Sequence, residues 1–186
     1  MATERQADVT VNEILAAFAA NGHLDYGENM SMQEHMLQTA HIAEQDGADA
    51  RLIVAALLHD FGHLVCNMPN DTFLDGHDNH HEEIGADALA KWFDEDIVNA
   101  VRLHVAAKRY LCGSNPAYFD KLSDASKLTL EIQGGPMNDA EIQAFRSQPG
   151  HEMAVRVRVY DDQGKVQDME RPELGHYLPA IRKCLA

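Results

Sequence analysis

The residues best suited to chemistry lie at the end of an apolar run. Residues 50–63 read ARLIVAALLHDFGH, and the run ends in His59, Asp60 and His63. A protein core does not accept three ionisable groups without partners, and a metal ion is the simplest partner for imidazole and carboxylate. On a helix His59 and His63 share a face, with Asp60 beside them. The alternative is a helix end that meets solvent, with Gly62 as the helix breaker.

The composition predicts an acidic globular protein without nucleic-acid or membrane partners. The chain has 186 residues, 45% of them hydrophobic, which predicts a single domain over residues 1–186. Its net charge of -15 repels phosphate backbones and anionic lipid. The polar start, MATERQADVT, does not resemble a signal peptide, and no apolar run reaches spanning length. Three widely spaced cysteines, Cys66, Cys112 and Cys184, suit the reduced thiols of the cytoplasm, where we expect the protein.

Hydrophobic periodicity predicts a mostly helical chain. Ser31 followed by Glu34 is typical of a capping box at a helix start. Residues 151–161 are ambiguous, because the Val/Arg alternation favours a strand whereas Arg158 and Asp161 share a face only on a helix. Loops are predicted over 21–30, 66–79 and 112–120. Helices are predicted over 10–20, 31–46, 49–60, 80–93, 95–111, 121–133, 139–148 and the C-terminal tail.

Further histidines lie in helical segments. Taken alone, each of His35, His81 and His104 is more often a core or capping residue than a metal ligand. Taken together, His35, the pair at 59–60 and Asp161 follow the order His, His-Asp, Asp, and His81 and His104 are inserted into it. This order resembles the HD-domain superfamily, an all-α helical bundle, and the two inserted histidines resemble its two-metal subset. The resemblance implies a bridging role for Asp60 and the metal ligands His35, His59, Asp60, His81, His104 and Asp161.

Longer motifs narrow the resemblance. HVAAKRYL at 104–111, TLEIQGGPM at 129–137 and the R-x-x-D at 158–161 resemble the diiron oxygenases that cleave the carbon–phosphorus bond of organophosphonates, which are related to myo-inositol oxygenase. The resemblance implies two iron ions, Fe(II)/Fe(III), with dioxygen as co-substrate. It also implies a small 1-hydroxyphosphonate substrate, supplied by an upstream hydroxylase and converted to phosphate and a carboxylate.

Two cations lie one helical turn from the proposed ligands. Lys108 follows His104 by one turn, and Arg158 precedes Asp161 by one turn if that segment is helical. In a chain this acidic, two such cations predict a bound dianion, here a phosphonate. The alternative is an ordinary polar helix face with two surface cations. The remaining candidate phosphonate donors are His63, Ser126, Thr129 and Gln133.

The loop DYGENM at 25–30 is the candidate for substrate selection. The resemblance implies that Tyr26 caps an iron until substrate displaces it and that Glu28 senses the substrate's nitrogen end, with Asp25 as an alternative. Two substrates are credible: 1-hydroxy-2-aminoethylphosphonate, giving glycine, and its N-trimethyl form, giving glycine betaine. We favour the trimethylammonio form, because the spacing from tyrosine to histidine is one residue shorter than in the amino-specific pattern. Which iron binds the substrate stays open.

Two other classes of protein compete with the oxygenase. A metal-dependent HD phosphohydrolase acting on a nucleotide or phosphoester would share His35, His59, Asp60 and Asp161 but would not need the HVAAKRYL motif. A non-catalytic HD module would have a degraded metal site, whereas all six positions are filled here. Dependence of phosphate release on oxygen separates the first rival, and iron content separates the second.

Overall fold

Helices form nearly all of the regular structure in the described chain. The structure, a computed structural model, describes residues 2–66 and 79–186. The predicted surface excursion over 66–79 lies almost wholly outside these residues. The helices are α1 (Ala2–Asn21), α2 (Met32–Gln45), α3 (Ala50–Leu58), α4 (Phe61–Cys66), α5 (His81–Leu89), α6 (Glu95–Ser114), α7 (Pro116–Phe119), α8 (Asp124–Ile132), α9 (Asp139–Arg146), α10 (His151–Gln163) and α11 (Leu174–Cys184).

A two-stranded ribbon is the one departure from the all-α prediction in the described residues. The strands β1 (Asp25–Gly27) and β2 (Met30–Ser31) pair antiparallel, so the prediction of a plain loop over 21–30 was wrong. The ribbon leads directly into α2 through the predicted capping box. There Ser31 Oγ accepts from the backbone N–H of Glu34 at 3.3 Å, and the Glu34 carboxylate accepts from the Ser31 N–H at 2.8 Å. The cap therefore holds the ribbon against the start of the helix.

Helix α3 is the central apolar element. Asp49 caps it by accepting from the Leu52 N–H at 3.0 Å, and every residue from 52 to 58 is buried. Burial of a large aliphatic side chain of this kind is worth about 1.5–3 kcal/mol. The helix packs against α2, α6, α10 and α11, so its C-terminal end is fixed at the centre of the bundle. His59 and Asp60 follow at that end, in the short turn before α4.

Helices α4 and α5 cross in backbone contact. A Cβ added to Gly62 would lie 2.0 Å from the carbonyl oxygen of His81, and one added to Gly85 would lie 2.9 Å from the backbone nitrogen of Gly62. Real Cβ atoms do not approach backbone this closely, so both positions require glycine. Gly62 is therefore a packing residue inside α4 rather than a helix breaker. The crossing brings the start of α5 beside Asp60.

The ambiguous segment over 151–161 is helical and forms α10, which packs along α6. Arg158 and Asp161 consequently share a face, as the helical alternative required. The loop predicted over 112–120 was wrong in part, because α6 continues to Ser114 and Pro116 starts the short helix α7. Helix α1 likewise begins well before residue 10. None of the helices in the described ranges combines the length and apolarity needed to cross a membrane.

Candidate metal centre and anion cavity

The first group of candidate ligands joins three helices. It contains His35 from α2, His59 and Asp60 from the end of α3, and Asp161 from α10. The Nε2 atoms of His35 and His59 lie 3.1 Å apart, and Asp60 Oδ2 lies 3.6 and 3.3 Å from them. Asp161 Oδ1 lies 3.4 Å from His35 Nε2. All four side chains are buried, so the donor atoms converge on one small volume.

The second group shares a carboxylate with the first. The Nε2 atoms of His81 and His104 lie 3.2 Å apart, and Asp60 Oδ1 lies 3.3 and 3.5 Å from them. The two oxygens of Asp60 therefore face different groups, with Oδ2 towards the first and Oδ1 towards the second. This is the arrangement needed for a carboxylate that bridges two metal ions.

The tautomer of each histidine follows from its second ring nitrogen. Every Nδ1 faces an acceptor oxygen, so it must carry the proton, which leaves a lone pair on Nε2. Asn79 uses Oδ1 because the same atom also accepts the backbone N–H of His81 at 3.2 Å. The Nδ1 pairs are His35 with Gly164 O at 2.8 Å, His59 with Ala56 O at 2.8 Å, His81 with Asn79 Oδ1 at 2.8 Å, and His104 with Val101 O at 2.7 Å.

In these tautomers the Nε2 lone pairs of His35 and His59 face each other at 3.1 Å, and those of His81 and His104 face each other at 3.2 Å. Two such nitrogens cannot hydrogen-bond, and they repel unless a cation lies between them. Asp161 Oδ1 is also buried and lacks a hydrogen-bond partner among residues 2–66 and 79–186. The facing nitrogens fit a metal ion in each group, and the Asp161 oxygen fits one in the first group. Neutral imidazole with carboxylate is a donor set that non-heme iron accepts.

Burial and the carboxylates set the charges of the ligands. Burial lowers the pKa of His81 to about 3 and lowers that of His35, which keeps both rings neutral. Burial also lowers the pKa of His59, but the adjacent Asp60 raises it on balance. A cation bound at Nε2 would replace that proton. Burial raises the pKa of Asp60, but His59 and the hydrogen bonds from the neighbouring histidines bring it well below its usual value, so the bridge is ionised.

A cavity opens beside the second group. His81, His104, Asp60 and Asp161 line it, whereas His35 and His59 are not among its described lining residues. The opposite wall comes from α8 and the ends of α6 and α10. Its polar lining there is Lys108, Ser126, Thr129, Gln133, Arg158 and Lys165.

All the predicted phosphonate donors reach this cavity. Lys108 Nζ donates to Thr129 Oγ1 at 2.7 Å, and Arg158 Nη1 lies 2.7 Å from Asp161 Oδ2. Gln133 also lines the cavity, and its amide nitrogen is the atom that can donate to an anion. Ser126 also lines the cavity from α8, and its hydroxyl accepts from Lys165 Nζ at 3.0 Å. The wall thus combines hydroxyl, amide and cationic donors.

His63 lies at the junction of the cavity and the second group. It is buried, and its ring stacks on that of His81 with centroids 4.4 Å apart. It lines the cavity, and within the described chain it belongs to neither of the two groups of converging ligand atoms. This placement favours the predicted role as a donor to a bound molecule over a role as metal ligand.

The ribbon divides its three predicted residues. The Tyr26 ring stacks on His35 with centroids 3.8 Å apart, and Tyr26 and Glu28 both line the cavity. Glu28 adopts a left-handed backbone conformation, with φ of 56°, at the ribbon turn. Asp25 is exposed and accepts from the Gly27 N–H at 2.9 Å; it is not among the described lining residues. Of the two acids, Glu28 is therefore the one that faces the cavity.

Sequence reasoning missed three contributors to the site. Lys165 lies at the cavity wall, and its spacing of four residues from Asp161 was the signal that could have found it. Asn79 orients His81 from two residues upstream. Tyr118 donates to Asp162, which in turn pairs with Arg158; no local sequence pattern links residues this far apart.

The chain is an HD-domain protein: the family model for the HD domain matches residues 32–133. It is 44% identical over 169 residues to the [1-hydroxy-2-(trimethylamino)ethyl]phosphonate dioxygenase (glycine-betaine-forming) of Leisingera caerulea, covering 90% of this chain and 86% of the relative. It is 40% identical over 177 residues to the hydroxymethylphosphonate dioxygenase of Gimesia maris, covering 94% and 88%. Within the HD proteins, the chain therefore belongs to the family of these phosphonate dioxygenases.

A further relative comes from a virus. The uncharacterised protein L432 of Acanthamoeba polyphaga mimivirus is 40% identical over 171 residues, covering 90% of this chain and 78% of its own length. The family and the helical fold expected from the HD order and from the HVAAKRYL and QGGPM motifs are confirmed.

Proposed function

We propose that the protein is a dioxygenase that cleaves the carbon–phosphorus bond of [1-hydroxy-2-(trimethylamino)ethyl]phosphonate, giving glycine betaine and phosphate. The observation that carries this proposal is the convergence of cationic and hydroxyl donors on a cavity beside the second ligand group. The name of the Leisingera caerulea relative supports the choice of substrate. The family supports an oxygenase over an HD phosphohydrolase.

The ligands proposed for the metals fall into the two groups described above. His35, His59 and Asp161 would hold one ion, His81 and His104 would hold the other, and Asp60 would contribute one oxygen to each group. Two iron ions, as Fe(II)/Fe(III), supply redox chemistry with dioxygen when bound. The chain's own part is to keep the imidazoles neutral, to hold their orientation through Nδ1 and to leave the second group open to the cavity.

The phosphonate lies against the α8 wall in this proposal. Lys108 and Arg158 neutralise its charge, while Ser126 and Thr129 donate through their hydroxyls. His63 and Gln133 complete the set from either side. Fixing the phosphonate in this way holds C1 and its hydroxyl towards the second group, which is the positioning that the reaction requires.

The nitrogen end lies towards the ribbon in this proposal. A trimethylammonium group donates no ordinary N–H hydrogen bond, so an acid and an aromatic ring are its best partners. Glu28 and Tyr26 supply these from the cavity lining, whereas Asp25 is exposed and is not among the described lining residues. The ribbon therefore selects the substrate, and the α8 wall holds the group common to all 1-hydroxyphosphonates.

The reaction balances without an external reductant. The C1–H and C1–P bonds break, a new C–O bond and a P–O bond form, and the products are carboxylate, hydrogen phosphate and a proton. Dioxygen accepts the four electrons that C1 loses. A hydroxylation at C1 must supply the substrate, so an upstream hydroxylase is the implied partner. We place the reaction in the cytoplasm, which suits the free thiols of Cys66, Cys112 and Cys184.

The test is a stoichiometry and a substrate comparison. Iron-loaded protein is given the trimethylamino, amino and unsubstituted hydroxymethyl phosphonates, and oxygen uptake and phosphate release are followed together. We expect one phosphate per dioxygen and the highest kcat/KM for the trimethylamino substrate. Full-rate phosphate release without oxygen would instead identify a phosphohydrolase. A preference for hydroxymethylphosphonate would remove the nitrogen-end role of Glu28.

A further inference from the structure

The three residues after α10 form a strap, residues 164–166, that is fixed to α2. Gln38 Nε2 donates to Val166 O at 2.8 Å, and Gln38 Oε1 accepts from the Val166 N–H at 3.0 Å. One buried side-chain amide therefore satisfies both backbone groups of one strap residue. At the other end, Gly164 O accepts from His35 Nδ1 at 2.8 Å.

The strap also lies in direct contact with the helix. A Cβ added to Gly164 would lie 2.6 Å from Thr39 Oγ1 and 3.0 Å from the Thr39 backbone nitrogen. The strap thus has three attachments to α2, through His35, Gln38 and Thr39. A segment held this way presents the side chain of its middle residue in one direction.

That middle residue is Lys165, and its side chain enters the cavity wall. Lys165 Nζ donates to Ser126 Oγ at 3.0 Å and lies 3.4 Å from Asp161 Oδ1 and from Asp162 Oδ1. Only 8% of the side chain is exposed. A buried ammonium needs partners of this kind, and two of them, Ser126 and Asp161, line the cavity themselves.

The charge of the wall depends on Lys165. Arg158 pairs with both Asp161 and Asp162, so its charge is already opposed by two carboxylates. Burial lowers the pKa of Lys108 to about 7, so its ammonium is not fully protonated at neutral pH. Without Lys165 the remaining cations would at best equal the two carboxylates. Apart from the bound metal ions, this part of the wall would then offer a dianion no net positive charge.

We propose that Lys165 is a third cation of the phosphonate site and that Gln38 is the positioning residue that directs it through the strap. The inference rests on the proposed function, because it assigns a further residue to the substrate's anionic end. It adds α2 to the elements that build this end. The strap then serves both sites, because Gly164 orients His35 and Lys165 binds the phosphonate.

The test uses methylphosphonate, an anion with neither the C1 hydroxyl nor the nitrogen end. Its binding to iron-loaded protein is measured by titration calorimetry for Lys165→Met, which keeps the apolar stem, and for Lys165→Arg. We expect about tenfold to hundredfold weaker binding for the first, since a hydrogen bond to a charged group is lost, and recovery to within about threefold for the second. Lys183→Met, at an exposed position of α11, is the matched control and should bind normally.

Gln38→Ala tests the positioning role. We expect about threefold to tenfold weaker binding, a raised KM and a retained kcat, with iron content unchanged. The double variant Gln38→Ala/Lys165→Met should bind no worse than Lys165→Met alone, because both changes remove the same contact. Additive losses would overturn the role of Gln38.

The two proposals fail in different ways. Normal methylphosphonate binding by Lys165→Met, in protein that releases phosphate with oxygen, would overturn the inference and leave the dioxygenase intact. Loss of binding in Lys165→Met, together with the absence of oxygen-dependent cleavage by the wild-type protein, would support the anion site and refute the dioxygenase. Iron content and thermal melting of each variant exclude loss of metal or of fold as the cause.

Discussion

The two ligand groups differ in how they meet the rest of the molecule. The first has four donors from three helices, and its histidines, His35 and His59, are fully buried and do not line the cavity. Within residues 2–66 and 79–186, the second consists of His81, His104 and the shared Asp60, and all three line the cavity. A site with more protein donors and less access is built to hold an ion, whereas one with fewer donors leaves positions for other molecules. We therefore expect the substrate to bind at the second group.

The shared carboxylate is the strongest test of this comparison. Asp60→Ala removes a donor from both groups, so we expect less than about a tenth of the normal iron and no detectable activity. Iron per chain, measured by a colorimetric assay after desalting, checks this. Asp120→Ala, at an exposed position, is the control. If Asp60→Ala kept two irons, Asp60 would not be a bridge.

Removal of one histidine from each group should give unequal results. His104→Ala leaves the four donors of the first group intact, so we expect about one iron per chain and no turnover. His35→Ala opens a hole in the fully buried group and breaks the contact to Gly164, so it should lose iron there and also lower the melting temperature. Iron assays with calorimetry compare the two. Equal iron content and equal melting temperatures for the two variants would contradict the distinction between the buried first group and the second group, which lines the cavity.

Lys108 sharpens the comparison on the cavity side, where binding should depend on pH. The pKa of Lys108 is lowered to about 7, so its side chain is mostly charged below pH 7 and mostly neutral above it. Above pH 7 the free protein must therefore take up a proton to bind an anion. Affinity for methylphosphonate should therefore fall as pH rises, by up to about tenfold per pH unit. Lys108→Arg, which stays charged, should lose this slope relative to wild type measured in the same buffers. Parallel pH profiles for the two proteins would place the titration elsewhere.

Tyr26 should give the smallest effect, because it lies between the two regions. Its ring stacks on His35 of the first group, and it also lines the cavity beside the second group. If it caps an iron, Tyr26→Phe should change the visible absorption of the resting iron centre but alter methylphosphonate affinity by less than about threefold. Absorption spectra before and after addition of methylphosphonate measure this. An unchanged resting spectrum would remove the cap.

The sequence predicted the chemistry of the site better than its supports. Ser31 with Glu34 is a local signal and led to the start of α2, and the HD order led to six residues that the fold does bring together. The segment over 151–161 could have been a strand or a helix, because alternating Val and Arg fits a strand with one buried face. Only its packing on α6 decides which residues are buried. The spacing of four residues from Asp161 to Lys165 was a local signal, but the contact that holds the neighbouring strap residue, between Gln38 and Val166, joins residues 128 positions apart.

The glycine contact between α4 and α5 has a consequence for how this site can evolve or be redesigned. Gly62 and Gly85 let the His81 edge approach Asp60 as closely as two backbones allow. A methyl group at position 62 would push the start of α5 outward and carry His81 and its share of the second group with it. The distance between the two ligand groups therefore depends on Gly62 and Gly85, which have no side chain. Gly62→Ala would act as a wedge that lengthens the gap without altering a single ligand.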